Sequence, residues 1–274
     1  MLPGSLVMHF VHYPGWAVMQ EAYRLPYKSA SDTRHGSCEY NGGCQMIAQR
    51  VLIVLVTVLF ACSGCIAAQT LFSGDEKTPA YAVILFDGKD LSEWLHSGSD
   101  KPAGWKVQDG YMEVRGGDIY TKRQFKDFQL HLEFWLPDMG EAQGQARANS
   151  GIYLINAYEI QVLDSYGLVC GTGDCGAIYS YAPPSVNACR PAAHWQTFDV
   201  FFRAAKYGAD GKKTSNAVVS VLHNGVWIHD CYSIPDSTPG GGSEPKMGPI
   251  RIQDHGCPIR YRNIWIRPLD PPKP

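Results

Sequence analysis

The stretch Phe128-Gln129-Leu130-His131-Leu132-Glu133-Phe134-Trp135 decides the fold. Apolar residues at 128, 130, 132 and 134 alternate with polar ones at 129, 131 and 133, as in a strand with one wet face. Upstream, Trp105–Gln108 and Tyr111–Val114 flank Asp109-Gly110, a two-residue hairpin turn in which both positions want positive φ. Asn224-Gly225 repeats that signal between Ala217–His223 and Val226–Cys231. Further strands are expected at Val83–Phe86, Gly151–Ile155, Tyr158–Leu163, Thr197–Arg203, Ile250–Gln253 and Asn263–Arg267. No long segment carries a helical period. Many short strands separated by turn residues predict an all-β chain, a jelly-roll β-sandwich forming a single domain over residues 80–270.

Composition agrees with that reading. Charged residues make up only 18% of the chain, while glycine (28) and proline (18) are plentiful, which suits short strands and turns better than long surface helices. The net charge of -2 supplies no basic face, so a nucleic-acid partner held by phosphate contacts is not expected. Three stretches read as loops: Asp138 to Ala148, Ser165 to Cys189 and Pro235 to Met247. The last is expected to be flexible. The second is long for a compact domain, a property that often accompanies function.

The N-terminal region stands apart from the fold. Val51–Ala61 is an apolar run of signal-peptide length, shorter than a membrane span, with Arg50 before it and the small residues Ala67-Ala68 after it. Residues 46–68 are therefore expected to be a signal peptide starting at Met46, with residues 1–45 an over-extended gene start or a disordered extension. A genuine extension ahead of a membrane anchor is the alternative. Cys62 and Cys65 follow the apolar run, and although neither has an ideal lipobox ahead of it, a lipid anchor is the membrane association considered for the exported form. The location would be exported, either periplasmic or anchored to the outer membrane.

Five cysteines lie beyond the signal: Cys170, Cys175, Cys189, Cys231 and Cys257. In an oxidising compartment two disulfides and one free thiol are the simple count, with Cys170 and Cys175 placed to close a local loop. A metal site at Cys170/Cys175 is the competing idea, but no second Cys or His pair follows at zinc-like spacing.

Three polar clusters could carry chemistry. In Tyr158–Asp164, alternation puts Glu159 and Gln161 on one face of a strand, a carboxylate beside an amide, suited to sugar hydroxyls or acid/base work. Ala148-Asn149-Ser150-Gly151 places polar groups at the mouth of a strand, although turn chemistry explains Asn149 and Gly151 equally well. Arg251-Ile252-Gln253-Asp254-His255-Gly256, followed by Arg260, Arg262 and Asn263, crowds an imidazole, a carboxylate, an amide and guanidiniums into a short span. Histidine suits proton transfer near neutral pH, and a neighbouring acid can set its tautomer. On its own, an Asp-His-Gly turn is more often structural than catalytic.

The chain resembles the 3-keto-disaccharide hydrolase family. The matching stretches are Leu85–Leu91 with Trp94, Asn149–Tyr153, Tyr158–Ser165, Gly176–Tyr179, His223–Gly225, Gly248–Gly256 and Tyr261–Ile266. They lie in order and span roughly Val83 to Leu269; each is weak alone, and together they are specific. The resemblance implies a concanavalin-like jelly roll and cleavage of glycosides oxidised at C3, by hydrolysis or by β-elimination followed by hydration. A ketone at C3 acidifies the C2 proton, so a base, an acid for the leaving oxygen and an electrophile near the C3 oxygen would suffice. Under that reading His255 is the base, Asp254 orients it, and Glu159 is an acid or metal ligand. Arg260 or Arg262 stabilises the enolate, while Asn149, Gln161, Asp164 and Gln253 contact the sugar. A divalent metal ion could replace arginine, with Glu159, Asp164, Asp254 and His255 as candidate ligands. A carbohydrate substrate and a functional link to a sugar 3-dehydrogenase follow from the same chemistry. The extra cysteines depart from the family pattern. Two other readings compete. A non-catalytic carbohydrate-binding module would use exposed Trp105, Tyr179 or Trp195. A laminarinase-type hydrolase would want a second carboxylate where Gln161 stands.

Overall fold

The computed structural model describes residues 78–79 and 81–269. The expected extension, the signal peptide, Cys62 and Cys65 all lie outside the described residues. Fifteen strands follow in order: β1 (Val83–Phe86), β2 (Trp94–His96), β3 (Lys106–Gln108), β4 (Tyr111–Glu113), β5 (Ile119–Thr121), β6 (Phe128–Trp135), β7 (Asn149–Leu154) and β8 (Tyr158–Leu163). The second half holds β9 (Trp195–Arg203), β10 (Lys206–Tyr207), β11 (Lys213–Ser215), β12 (Ala217–His223), β13 (Val226–Ile234), β14 (Arg251–Ile252) and β15 (Arg260–Pro268). Both expected hairpin turns form with positive φ at each central residue, Asp109 and Gly110 joining β3 to β4, Asn224 and Gly225 joining β12 to β13. Strands β2, β5, β10 and β11 escaped the sequence reading because two or three residues cannot display a period.

The strands build a β-sandwich. An eight-stranded antiparallel sheet runs β13-β12-β9-β6-β15-β4-β3, with β1 paired to β15, and a five-stranded sheet runs β2-β5-β14-β7-β8. The alternation in Phe128–Trp135 is realised in β6: Leu130, Leu132 and Phe134 are buried, His131, Glu133 and Trp135 only partly so. These inward side chains join Phe198, Val200 and Phe202 of β9 and Ile152, Ile160 and Val162 of the smaller sheet in one apolar core. Burial of that size is the main stabilising term. One polar link crosses it: the Tyr261 hydroxyl on β15 donates to Ser150 Oγ on β7 (2.7 Å).

Strands β7 and β8 are buried on both faces. One face meets the core. The other is covered by the two long loops, which is unusual for β8 because it stands at the edge of its sheet. The free edge of β8 is occupied by residues 176–179: Gly176 N–H donates to the Gln161 carbonyl, Gln161 N–H to Ala177, and Tyr179 N–H to Glu159. The Pro235 to Met247 loop, expected to be flexible, is instead tied down. Thr238 is buried and its hydroxyl accepts the Glu159 N–H (2.8 Å). Glu244 accepts the Tyr158 hydroxyl (2.6 Å) and pairs with Lys213 (2.7 Å). Its Gly/Pro/Ser composition concealed those few specific contacts.

Candidate functional site

The roofed face of the five-stranded sheet holds a cleft of about 230 Å³. Alternation along β7 turns Asn149, Gly151 and Tyr153 toward it, and along β8 it turns Glu159 and Gln161. The register then decides who meets whom: Tyr153 pairs with Glu159, and Gly151 with Gln161. Gln145, Tyr179, Pro239 and Gly240 come from the loops, while Gln253 and His255 follow β14.

Glu159 lies at the centre. It is buried, with only 3% of its surface exposed. Its carboxylate occupies the space that a side chain at position 151 would fill: a Cβ on Gly151 would stand 2.1 Å from Glu159 Oε1. Glycine at 151 is therefore needed for close approach, not for turn geometry. The Tyr153 hydroxyl donates to Glu159 Oε2 (2.8 Å). The Gln161 amide stands 3.2 Å from Oε1 and 2.9 Å from the Ser150 carbonyl oxygen, and only its NH2 can serve two acceptors. Burial raises the Glu159 pKa to about 7, with the Tyr153 hydrogen bond and the Arg251 charge pulling the other way. A carboxyl group half-ionised near neutrality can both take and return a proton. Burial beside that carboxylate also pushes the Tyr153 hydroxyl far up, so it stays a donor.

Arg251 braces this pair from behind. Its guanidinium lies over the Tyr153 ring (3.5 Å to the centroid), donates to the Gly240 carbonyl (2.6 Å) and faces Asp118 (3.6 Å). The sequence reading included Arg251 in its motif without a role. No signal in the sequence marks that role, because Arg251 and Tyr153 become partners only through the register of β14 against β7.

Several expected site residues fall elsewhere. Arg260 and Arg262 sit on the outer face of the eight-stranded sheet. Arg260 pairs with Glu113 (3.0 Å) and Arg262 with Glu133 (2.7 Å), each stacked on an aromatic ring. The expected strand began at Asn263; β15 begins at Arg260, which carries both arginines into the other sheet. Asp254 does not orient His255. Its two carboxylate oxygens accept the N–H groups of Gly117 (2.7 Å) and Gly256 (2.8 Å), and so they hold the turn. His255 is exposed at the rim of the cleft. Asp164 follows β8 outside the cleft lining, with its carbonyl bound by Arg147 (3.0 Å). Asn149, Gln161 and Gln253 do line the cleft. Asn149 Nδ2 donates to Gln145, a residue the sequence reading did not single out (3.0 Å).

The four candidate metal ligands are not gathered. Among the described residues, the His/Cys/Asp/Glu group whose ligand atoms lie within 4.8 Å of one another is Cys175, Cys189 and His223. Two disulfides and one free thiol were expected, but all five cysteines are free in the structure. Cys175 is buried and Cys170 stays toward the surface of the loop, so the expected local bridge is absent. Of the aromatics considered for a binding platform, only Tyr179 lines the cleft. Trp105 is buried against Tyr261, and Trp195 stacks under Arg262.

Comparison with known proteins places this site in context. A 3-keto-disaccharide hydrolase from Bacteroides thetaiotaomicron is 24% identical over 236 residues, 69% of this chain and 78% of its own. A crystal structure of a candidate glycosyl hydrolase from Parabacteroides distasonis is 39% identical with a TM-score of 0.66, covering 70% of this chain and 85% of that one. A second from the same organism, 21% identical with a TM-score of 0.51 over 69% and 94%, shares the fold. The model of the 3-keto-alpha-glucoside-1,2-lyase-like domain matches residues 82–267, which takes in both sheets and every cleft residue named above. The chain belongs to the 3-keto-alpha-glucoside-1,2-lyase-like domain family.

Proposed function

We propose that this protein cleaves glycosides oxidised at C3, using Glu159 as its central proton-transfer group. The observation that carries the reading is the buried Glu159 carboxyl at the cleft floor, with a pKa of about 7 and a tyrosine donor fixed on one oxygen. Family membership and the hydrolase relative support the substrate class.

The reaction is an elimination followed by hydration. Glu159 as carboxylate takes the C2 proton, and the C2–H electron pair moves into the C2–C3 bond as the carbonyl becomes an enolate. The enolate collapses, C1–C2 gains its double bond and the C1–O bond breaks. His255 at the rim gives the departing oxygen its proton. Water then adds across C1=C2, completing hydrolysis. General acid–base help of this kind contributes roughly 10²–10⁴-fold. The amides of Asn149, Gln161 and Gln253 hold hydroxyls, and Tyr179 offers a ring for a sugar face. Arg251 positions Tyr153 and tempers the basicity of Glu159. A single central carboxylate distinguishes this site from the paired carboxylates of ordinary glycosidases. The substrate calls for an upstream sugar 3-dehydrogenase, and the apolar run at Val51–Ala61 supports an exported location.

Incubation with a 3-keto-glycoside and with its unoxidised counterpart tests the reading. Aglycone should leave the keto sugar alone, and in deuterated water the C2 position should exchange. Equal cleavage of both substrates would overturn it. His255→Ala should slow release of poor leaving groups more than good ones, since only the former need the acid.

A further inference from the structure

The long loop between Ser165 and Cys189 brings together groups that the proposed reaction does not use. The Sγ atoms of Cys175 and Cys189 and a ring nitrogen of His223 lie within 4.8 Å of one another. Cys175 and His223 are each about 1% exposed, and Cys189 is partly buried. Cys170 is close enough to feel the charge of both other cysteines.

The His223 ring is held in one tautomer. Gln196 Oε1 accepts the Arg190 N–H (2.8 Å), which identifies that atom as the oxygen. His223 Nε2 stands 2.9 Å from the same oxygen and must therefore carry the proton. Burial pushes the His223 pKa down to about 3, so the ring is neutral and Nδ1 holds its lone pair. An imidazole that donates through one nitrogen to a fixed acceptor, keeps a lone pair on the other and lies beside two thiols is the usual arrangement of a metal-ligating histidine.

We propose that Cys175, Cys189 and His223 form a binding site for a thiophilic cation of the zinc type. Two sulfurs and an imidazole nitrogen match the donor preference of tetrahedral zinc and leave its fourth position open. Burial, with the hydrogen bond and charge of Cys189 behind it, holds the Cys175 thiol well above the ordinary thiol range, so a cation must displace that proton on binding. A disulfide would use both sulfurs and leave the fixed imidazole lone pair without a role.

The site ties the loop to β12 at the place where the loop caps β8. Cys175 immediately precedes the Gly176–Tyr179 segment on the β8 edge, and Gly173 O accepts from Gln145 (2.8 Å) in the cleft wall. The proposal is independent of the reaction assigned to the cleft.

The test uses the full chain, reduced and freed of metal, titrated with Co2+ and then Zn2+. About one equivalent of cobalt should give thiolate-to-cobalt charge-transfer absorption, which zinc abolishes. The absorption should be lost in Cys189→Ser and kept in Cys231→Ser, which alters an exposed cysteine outside the cluster. Zinc should also slow maleimide labelling of Cys189 in the unmodified protein by roughly tenfold or more, with Cys231 unaffected. That measurement decides the matter if Cys189→Ser does not fold. Absence of the absorption in the reduced protein, its persistence in folded Cys189→Ser, or zinc-independent labelling of Cys189 would each overturn the proposal. So would a Cys175–Cys189 disulfide forming on oxidation of a reduced protein that binds no cobalt, which would mark a redox pair instead.

Discussion

The outer face of the eight-stranded sheet and the cleft face of the five-stranded sheet both carry charge, and they treat it in opposite ways. On the outer face every guanidinium named above meets a carboxylate in a partly solvated pair: Arg260 with Glu113, Arg262 with Glu133. Aromatic rings lie beneath them, Trp135 under Arg260 and Trp195 under Arg262. In the cleft, Glu159 has a tyrosine and amides for company and meets Arg251 only through the field. Paired and wet, a charge keeps its ordinary chemistry. Desolvated and incompletely compensated, it becomes a proton-transfer group.

The sharpest way to break the contrast is Glu159→Gln. Turnover of a 3-keto-glycoside should fall by about 10²–10⁴-fold, measured as aglycone release, with the fold unchanged by circular dichroism. The same variant tests the electrostatics. Because the folded pKa of Glu159, about 7, exceeds its unfolded value of 4.5, the group favours folding below the unfolded pKa. That contribution is lost as pH rises through about 7. Between those values the unmodified protein should lose roughly 3 kcal/mol from this residue, and Glu159→Gln should flatten the slope of stability against pH.

Gly151→Ala should come next. A methyl group 2.1 Å from Glu159 Oε1 forces the carboxylate off its position. We expect roughly 10²-fold loss of turnover and a cost of about 1–3 kcal/mol in denaturant unfolding. Arg251→Met removes the charge that holds the Glu159 pKa down and the stack that holds Tyr153. The acidic limb of the pH–rate profile, set by ionisation of Glu159, should move to higher pH, with a smaller loss of rate than either change above. Arg262→Ala on the opposite sheet should cost no more than about 1 kcal/mol and leave kcat/KM unchanged. A large kinetic effect there would restore the arginine to the site and undo the comparison.

The sandwich was legible because strand alternation and turn chemistry are local. Phe128–Trp135 and the Asp109-Gly110 and Asn224-Gly225 turns formed as their patterns demand. Alternation also put Glu159 and Gln161 on one face. What it could not supply was the identity of the neighbour. Whether Glu159 faces water or a roofed cleft depends on loops closing over β7 and β8, and their composition gives no sign of where they land. Reading β15 three residues short moved Arg260 and Arg262 to the wrong sheet. The Asp254 assignment failed for another reason: adjacency in sequence says nothing about competition from backbone N–H groups at Gly117 and Gly256. The Cys175–Cys189–His223 group was invisible because its members are up to 48 residues apart, joined only by the fold.

The capped edge of β8 has a consequence for solubility. An open edge strand offers unpaired N–H and C=O groups to any other strand it meets, and that is a common route to aggregation. Here residues 176–179 take up those groups, so the strand bearing Glu159 cannot recruit a neighbour while the loop is seated. Anything that unseats the loop, such as substitution at Gly176, where a Cβ would meet Ile228 at 2.5 Å, should expose the edge. Self-association of the folded protein would then be an earlier symptom than loss of its secondary structure.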